Sequence, residues 1–134
     1  MKEVVNREQA EVEYELFLEH NYLKRDFVTD EVEGRDAERD KQIIVSAVVR
    51  GALVFNDGVP TYTPETSDNK DPIVFYKPKG DVLAAMDKRK DHQKVSQMYA
   101  AMGQLTKTSA VKFAKMDHRP DLELCMTLFS AFLA

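Results

Sequence analysis

Apolar residues recur with a helical period at both ends of the chain and with a strand-like composition in the middle. Near the start, "EVEYEL" alternates acid and apolar, the pattern of a half-buried strand. The abundance of Glu and Leu argues instead for a helix, as does Asn6 with Gln9 as a capping pair. The second reading predicts a helix over 7–24 with Val12, Leu16 and Leu23 on one face, and leaves a strand at 11–18 as the alternative. Gly34 predicts a break, and Asp36 caps a second helix over 36–50 with Ile43 or Ile44, Ala47 and Val48 as its stripe. Arg50-Gly51 marks its end.

The middle, 52–77, has the signals of a small β element. "ALVF" and "VPTYT" flank Asn56-Asp57-Gly58, a hairpin composition. Pro60 places the second strand at an edge. "PETSDNKDP" reads as a polar loop free to move, and Ile73 to Tyr76 as a third strand. Three short strands bury too little alone and must lean on helices.

From 81 to 134 the pattern is helical. Asp81 caps a helix through "VLAAMDKRK". Val95, Met98, Tyr99 and Met102 share a face, and Thr106 or Thr108 caps a segment carrying Val111, Phe113 and Met116. Pro120 and Asp121 occupy the first turn of a final helix. The expected fold is mainly α with a small antiparallel β-hairpin or three-strand element in the middle, in one domain spanning 1–134.

The final helix, "DLELCMTLFSAFLA", carries two apolar stripes. Leu122, Met126, Phe129 and Leu133 form one; Leu124, Cys125, Leu128 and Phe132 form the other. An ordinary surface helix buries a stripe little wider than 100°. Two readings follow: a central core helix, or a helix with one face covered by another protein. The absence of a polar tail favours the second.

Composition narrows the function. Net charge is −4 with a pI near 5.4, which disfavours nucleic acid as the main partner. The charge is uneven: 1–41 hold 13 acids against 7 bases, and the rest has a small basic excess. Such asymmetry suits contact between copies, but a solvated acidic face is the stronger reading. The single cysteine forms no internal disulfide and fits a reducing compartment. No apolar h-region opens the chain, and no apolar run approaches the ~20 residues that span a bilayer.

Motifs for nucleotide binding, nucleophilic hydrolysis or zinc proteolysis are absent. Asp117, His118, Asp121 and Cys125 are the densest set of metal-ligand residue types, but their spacing matches no usual ligand set, and Asp117, Arg119 and Asp121 serve equally well as caps and surface charges around Pro120. Cys125 reads as a small buried hydrophobe. Lys88, Arg89, Lys90, His92 and Lys94 could track phosphates, which gives a nucleic-acid-binding regulator as the alternative function. Asp81, Asp87 and Asp91 interrupt them and no aromatics accompany them for base stacking, so a solvated helix face is the stronger reading. Met86, Met98, Met102, Met116 and Met126 all lie in the C-terminal half, where methionine suits both cores and surfaces that accept varied partners.

The succession "GRDAERDKQIIVSAVVRGALVFNDGVP", "PIVFYKPKG", "AAMDKRK" and "RPDLELCMTLFSAFL", behind an acidic first helix, is similar to tail assembly chaperones of long-tailed bacteriophages of the lambda type. The resemblance runs over most of the chain and rests on no single diagnostic motif. It implies a non-enzymatic, oligomerising protein without cofactor, located in the host cytoplasm and absent from the mature virion. It implies the tape measure protein and the tail tube protein as partners during tail assembly. It also implies a longer form made by programmed translational frameshifting; a chain that stops inside an apolar helix is what one product of such a shared frame looks like. Adaptable apolar faces suit that task. The expected contact residues are Met98, Met102, Leu122, Met126, Phe129, Phe132 and Leu133, some of them shared with the core.

Overall fold

The computed structural model describes residues 5–21, 23, 31–80 and 94–133, the side chains of 31–36, 94 and 133 aside. The fold is mainly α, with a small antiparallel sheet in the middle of the chain.

Residues 11–18 are helical. Helix α1 spans Arg7–His20, and the Asn6 side chain accepts from the Gln9 amide at 2.8 Å, closing its N-terminus as the sequence predicts. The inward face differs from the expected one. Ala10, Tyr14 and Phe17, spaced four and three residues apart, face the core. Val12 and Leu16, offset by about half a turn, face outward. Aromatic area decides this: Tyr14 and Phe17 bury more apolar surface than Val12 and Leu16 would.

Helix α2 spans Glu31–Val49 and starts earlier than 36, so Gly34 and Asp36 lie inside it rather than marking a break and a cap. A glycine costs a helix interior only about 1 kcal/mol, too little to end the helix here. Ile44, Val45, Ala47 and Val48 are buried, while Ile43 packs at the margin of the core.

Strands β1 (Leu53–Asn56), β2 (Val59–Tyr62) and β3 (Ile73–Val74) form one sheet in that order. The turn is the two-residue Asp57-Gly58, with φ of 52° and 80° and Asn56 opposite Val59, a type I′ geometry for which this dipeptide is favoured. Pro60 lies on the central strand, not on an edge. Asn56 and Val59 flank the two-residue turn as a hydrogen-bonded pair, so the next pair, Phe55 and Pro60, exchanges no ladder bonds. On the other side Pro60 sits at the fringe of the short β3 ladder, where its carbonyl accepts from the Phe75 amide at 2.8 Å. The missing N–H therefore costs the sheet little.

Helix α3 spans Lys94–Thr106 and helix α4 spans Ala110–Ala114. Ser109, not Thr106 or Thr108, is the residue before α4; Thr106 turns back and donates to the Met102 carbonyl at 2.8 Å. A tight turn at His118–Leu122 follows, with Arg119 extended and the Arg119–Pro120 peptide bond cis. It leads into helix α5, Glu123–Leu133. Pro120 thus belongs to this turn, ahead of the helix. The expected helix from Asp81 lies outside the described residues.

One apolar core joins α1, α2, the sheet and α3 to α5. Phe17 is its junction: its ring stacks on Phe55 of β1 at 4.9 Å and meets Phe132 of α5 edge-on at 5.5 Å.

Candidate functional site

Of the seven residues expected to contact partners, Met102, Leu122, Phe129 and Phe132 are buried in the chain's own core. Met98 and Met126 are half-buried and packed against that core. The Leu133 side chain lies outside the described residues. On the final helix, Phe129 and Phe132, like Leu122 just before it, have the burial of the central core reading. Leu124, Cys125, Leu128 and Phe129 are nearly or wholly shut from solvent, and Ser130 is exposed. The helix is apolar nearly all round because α2, the turn before it and α1 close on it from several sides.

The residue that sequence reasoning missed is Asp121. It is fully buried, not a surface charge. Its Oδ1 accepts from the Tyr62 hydroxyl at 2.6 Å and the Glu65 amide at 2.7 Å. Its Oδ2 accepts from the Ser67 hydroxyl at 2.6 Å, the Ser67 amide at 2.8 Å and the Thr66 amide at 3.1 Å. Burial alone would raise the carboxyl pKa. The bonds from Ser67, Tyr62 and the Glu65 and Ser67 amides outweigh it and hold the group well below the ordinary carboxylate range. Burial, and then the bond to Asp121, push the Tyr62 phenol far up, so it stays a donor. The loop "PETSDNKDP" is therefore pinned: Ser67 also accepts from the Asp117 amide at 2.9 Å, and Arg50 pairs with Glu65 at 2.9 Å. No sequence signal joins Asp121 to a loop more than fifty positions earlier. With both oxygens saturated, this carboxylate is a structural latch, and it has no lone pair to spare for a metal or a proton transfer.

The set Asp117, His118, Asp121 and Cys125 does not converge. Asp117 and His118 are exposed, Asp121 faces the loop, and Cys125 is buried with its thiol donating to the Met116 sulfur at 3.8 Å. Burial, and then the Asp121 charge, raise the thiol pKa, which makes it inert as a nucleophile. Among the described residues no group of three His, Cys, Asp or Glu stands close enough to hold a metal ion. None of the helices described is long and apolar enough to cross a membrane. Lys88, Arg89, Lys90 and His92 lie outside the described residues, as does the Lys94 side chain.

Exposed apolar side chains among the described residues are scattered singly at Val54, Tyr76, Val95 and Val111, and stand as a pair on α1. Val12 is 52% and Leu16 57% exposed, one turn apart on the face opposite the core. Beside Leu16 an open groove of about 520 Å³ runs between the second half of α1 and the β1–β2 hairpin. Phe17 and Phe55 supply its apolar wall, and Glu13, Glu19, His20 and Asp57 its polar rim. The hairpin is held there by Asn21, whose side-chain amide donates to the Phe17 carbonyl at 3.0 Å and the Gly58 carbonyl at 2.9 Å. The surroundings are negative. α1 carries five glutamates, and its Arg7 reaches across to Gln42 on α2. Burial, and then Glu15, Asp40 and Glu38, push the Tyr14 phenol up to about 12.

No protein-family model, no curated protein and no solved structure matches this chain.

Proposed function

We propose that the protein is a non-enzymatic assembly adaptor, a tail assembly chaperone of a long-tailed phage that holds the tape measure protein, together with tail tube protein, while the tail is built. The name rests on the sequence resemblance. The observation that carries the physical reading is the exposed pair Val12 and Leu16 on an acidic helix. A chaperone for a long, apolar helical client needs surface that covers apolar seams with modest affinity, rimmed by charge that keeps the complex dissolved. In this reading the protein acts in the host cytoplasm, self-associates, and leaves before the virion is complete. The terminal helix contributes through the core that holds α1 in place.

Co-expression with the tape measure protein encoded near it tests the reading. The expected result is a soluble tape measure protein that co-purifies with this chain, and mature virions that contain none of it. A tape measure protein that is insoluble or unbound in its presence overturns the reading.

A further inference from the structure

We propose that the Val12–Leu16 ridge of α1, with the groove beside it, docks a basic amphipathic helix of a partner protein. The proposal deepens the adaptor reading, and rests on it only in supposing that a partner exists.

Three observations carry it. First, the ridge is apolar where a helix of this composition has no need to be: Ala10, Tyr14 and Phe17 already supply the face that α1 buries. Val12 and Leu16 stand one turn apart on the opposite face, aligned along the helix axis, and the groove continues the apolar surface past Leu16 to the half-buried Phe55. A ridge of i,i+4 side chains flanked by a groove is the shape against which a second helix packs.

Second, α1 offers side chains there and no row of unpaired backbone groups, because its amides and carbonyls close on one another within the helix. An extended peptide lying on α1 would leave its own backbone polar groups unpaired. A helix arrives with them satisfied.

Third, the charge is one-sided. Glu8 is exposed on the flank of the ridge, and Glu13 and Asp57 border the groove. None of these three makes an ion pair among the described residues, and Arg7 is turned toward Gln42. An acidic or neutral helix meets repulsion or gains nothing at this rim. A helix with Leu, Ile or Met on one face and Lys or Arg flanking it fills the groove and pairs with the carboxylates.

The test uses the full-length chain and two fluorescent amphipathic peptides of roughly 18 residues, long enough to form a helix on contact. They share one leucine face; one has Lys and Arg on its flanks, the other Glu. Anisotropy titrations should show the basic peptide binding at least about tenfold more tightly than the acidic one. Raising the salt from about 50 to about 500 mM should weaken that binding several-fold. The double variant V12A/L16A should lose about tenfold in affinity at unchanged circular dichroism, and E13Q/D57N should reduce the preference for the basic peptide. Equal affinity for the two peptides, no binding by the natively folded chain, or full binding by V12A/L16A overturns the proposal. So does sedimentation showing that V12A/L16A dissolves multimers that the basic peptide leaves intact, since the ridge is then occupied by a second copy. If V12A/L16A captures a tape measure protein as well as the unaltered chain does, this surface assignment fails, and the adaptor reading keeps the capture itself and the sequence resemblance but loses its assigned surface.

Discussion

Tyr62 on the central strand and Asp121 ahead of the last helix lie 59 positions apart in sequence and are joined by a 2.6 Å hydrogen bond from phenol to carboxylate. That bond, with the amides of Glu65, Thr66 and Ser67 on the same carboxylate, locks the sheet, the polar loop and α5 into one unit. Replacing Asp121 strands several buried donors at once. Asp121→Ala should cost about 3–5 kcal/mol, and Tyr62→Phe about 2 kcal/mol, in urea unfolding at neutral pH. Stability of Asp121→Ala within 1 kcal/mol of the unaltered chain would contradict the latch.

The same carboxylate makes a pH prediction. Its pKa is depressed in the folded state relative to about 3.9 in the unfolded chain. The stabilisation is therefore complete above the unfolded value and is lost as pH falls toward the folded one. The stability gap between the unaltered chain and Asp121→Asn should be constant from about pH 7 to 5 and shrink steadily below about pH 4. Denaturant titrations at a series of pH values measure it. A gap that widens with acid would reverse the sign and refute the assignment.

Gly58 makes a third test. Its φ is +80°, and a Cβ there would lie 2.2 Å from the His20 ring. Gly58→Ala must both adopt a left-handed conformation and displace the side chain at the end of α1. It should destabilise the chain by about 1–3 kcal/mol and loosen the hairpin from α1, seen as faster exchange of the Asn21 side-chain amide, which donates to the Gly58 carbonyl. Unchanged stability and exchange would mean that the hairpin does not rest on α1.

Much of the fold is legible in the sequence, and the failures share a cause. Asn6 announces the start of α1, and Asp57-Gly58 the hairpin, because capping and turn chemistry act within a few residues. Which face of α1 turns inward is not local. Val12 and Leu16 form a plausible stripe, and only Phe55 and Phe132, brought from elsewhere in the chain, show that Phe17 wins. Pro60 argues for an edge strand until the pairing phase with Phe55 is known. Asp121 beside Pro120 has the sequence character of a helix-start charge, and its donors come from a loop that nothing local connects to it. The proposed partner surface follows the same rule. The greasy ending draws attention because it is continuous in sequence, but whether an apolar helix is wet or dry depends on everything packed around it.

Phe129 and Leu16 bring that distinction to a substitution. Phe129 is 1% exposed, and Phe129→Ala should cost about 3–5 kcal/mol. Leu16→Ala should change stability by no more than about 0.5 kcal/mol. Thermal and urea unfolding of the two variants decide it; a mild Phe129→Ala together with a damaging Leu16→Ala would exchange the roles given to α5 and α1.

Hydroxyl-radical footprinting of the free chain asks the central question most directly, since it reads side-chain access to solvent residue by residue. Leu16 should be labelled nearly as fast as in the unfolded chain, and Phe129 and Phe132 should be protected at least about tenfold, in line with their burial. Rapid labelling of Phe129 and Phe132 with Leu16 protected would contradict this, returning the apolar partner surface to the final helix and leaving α1 with none.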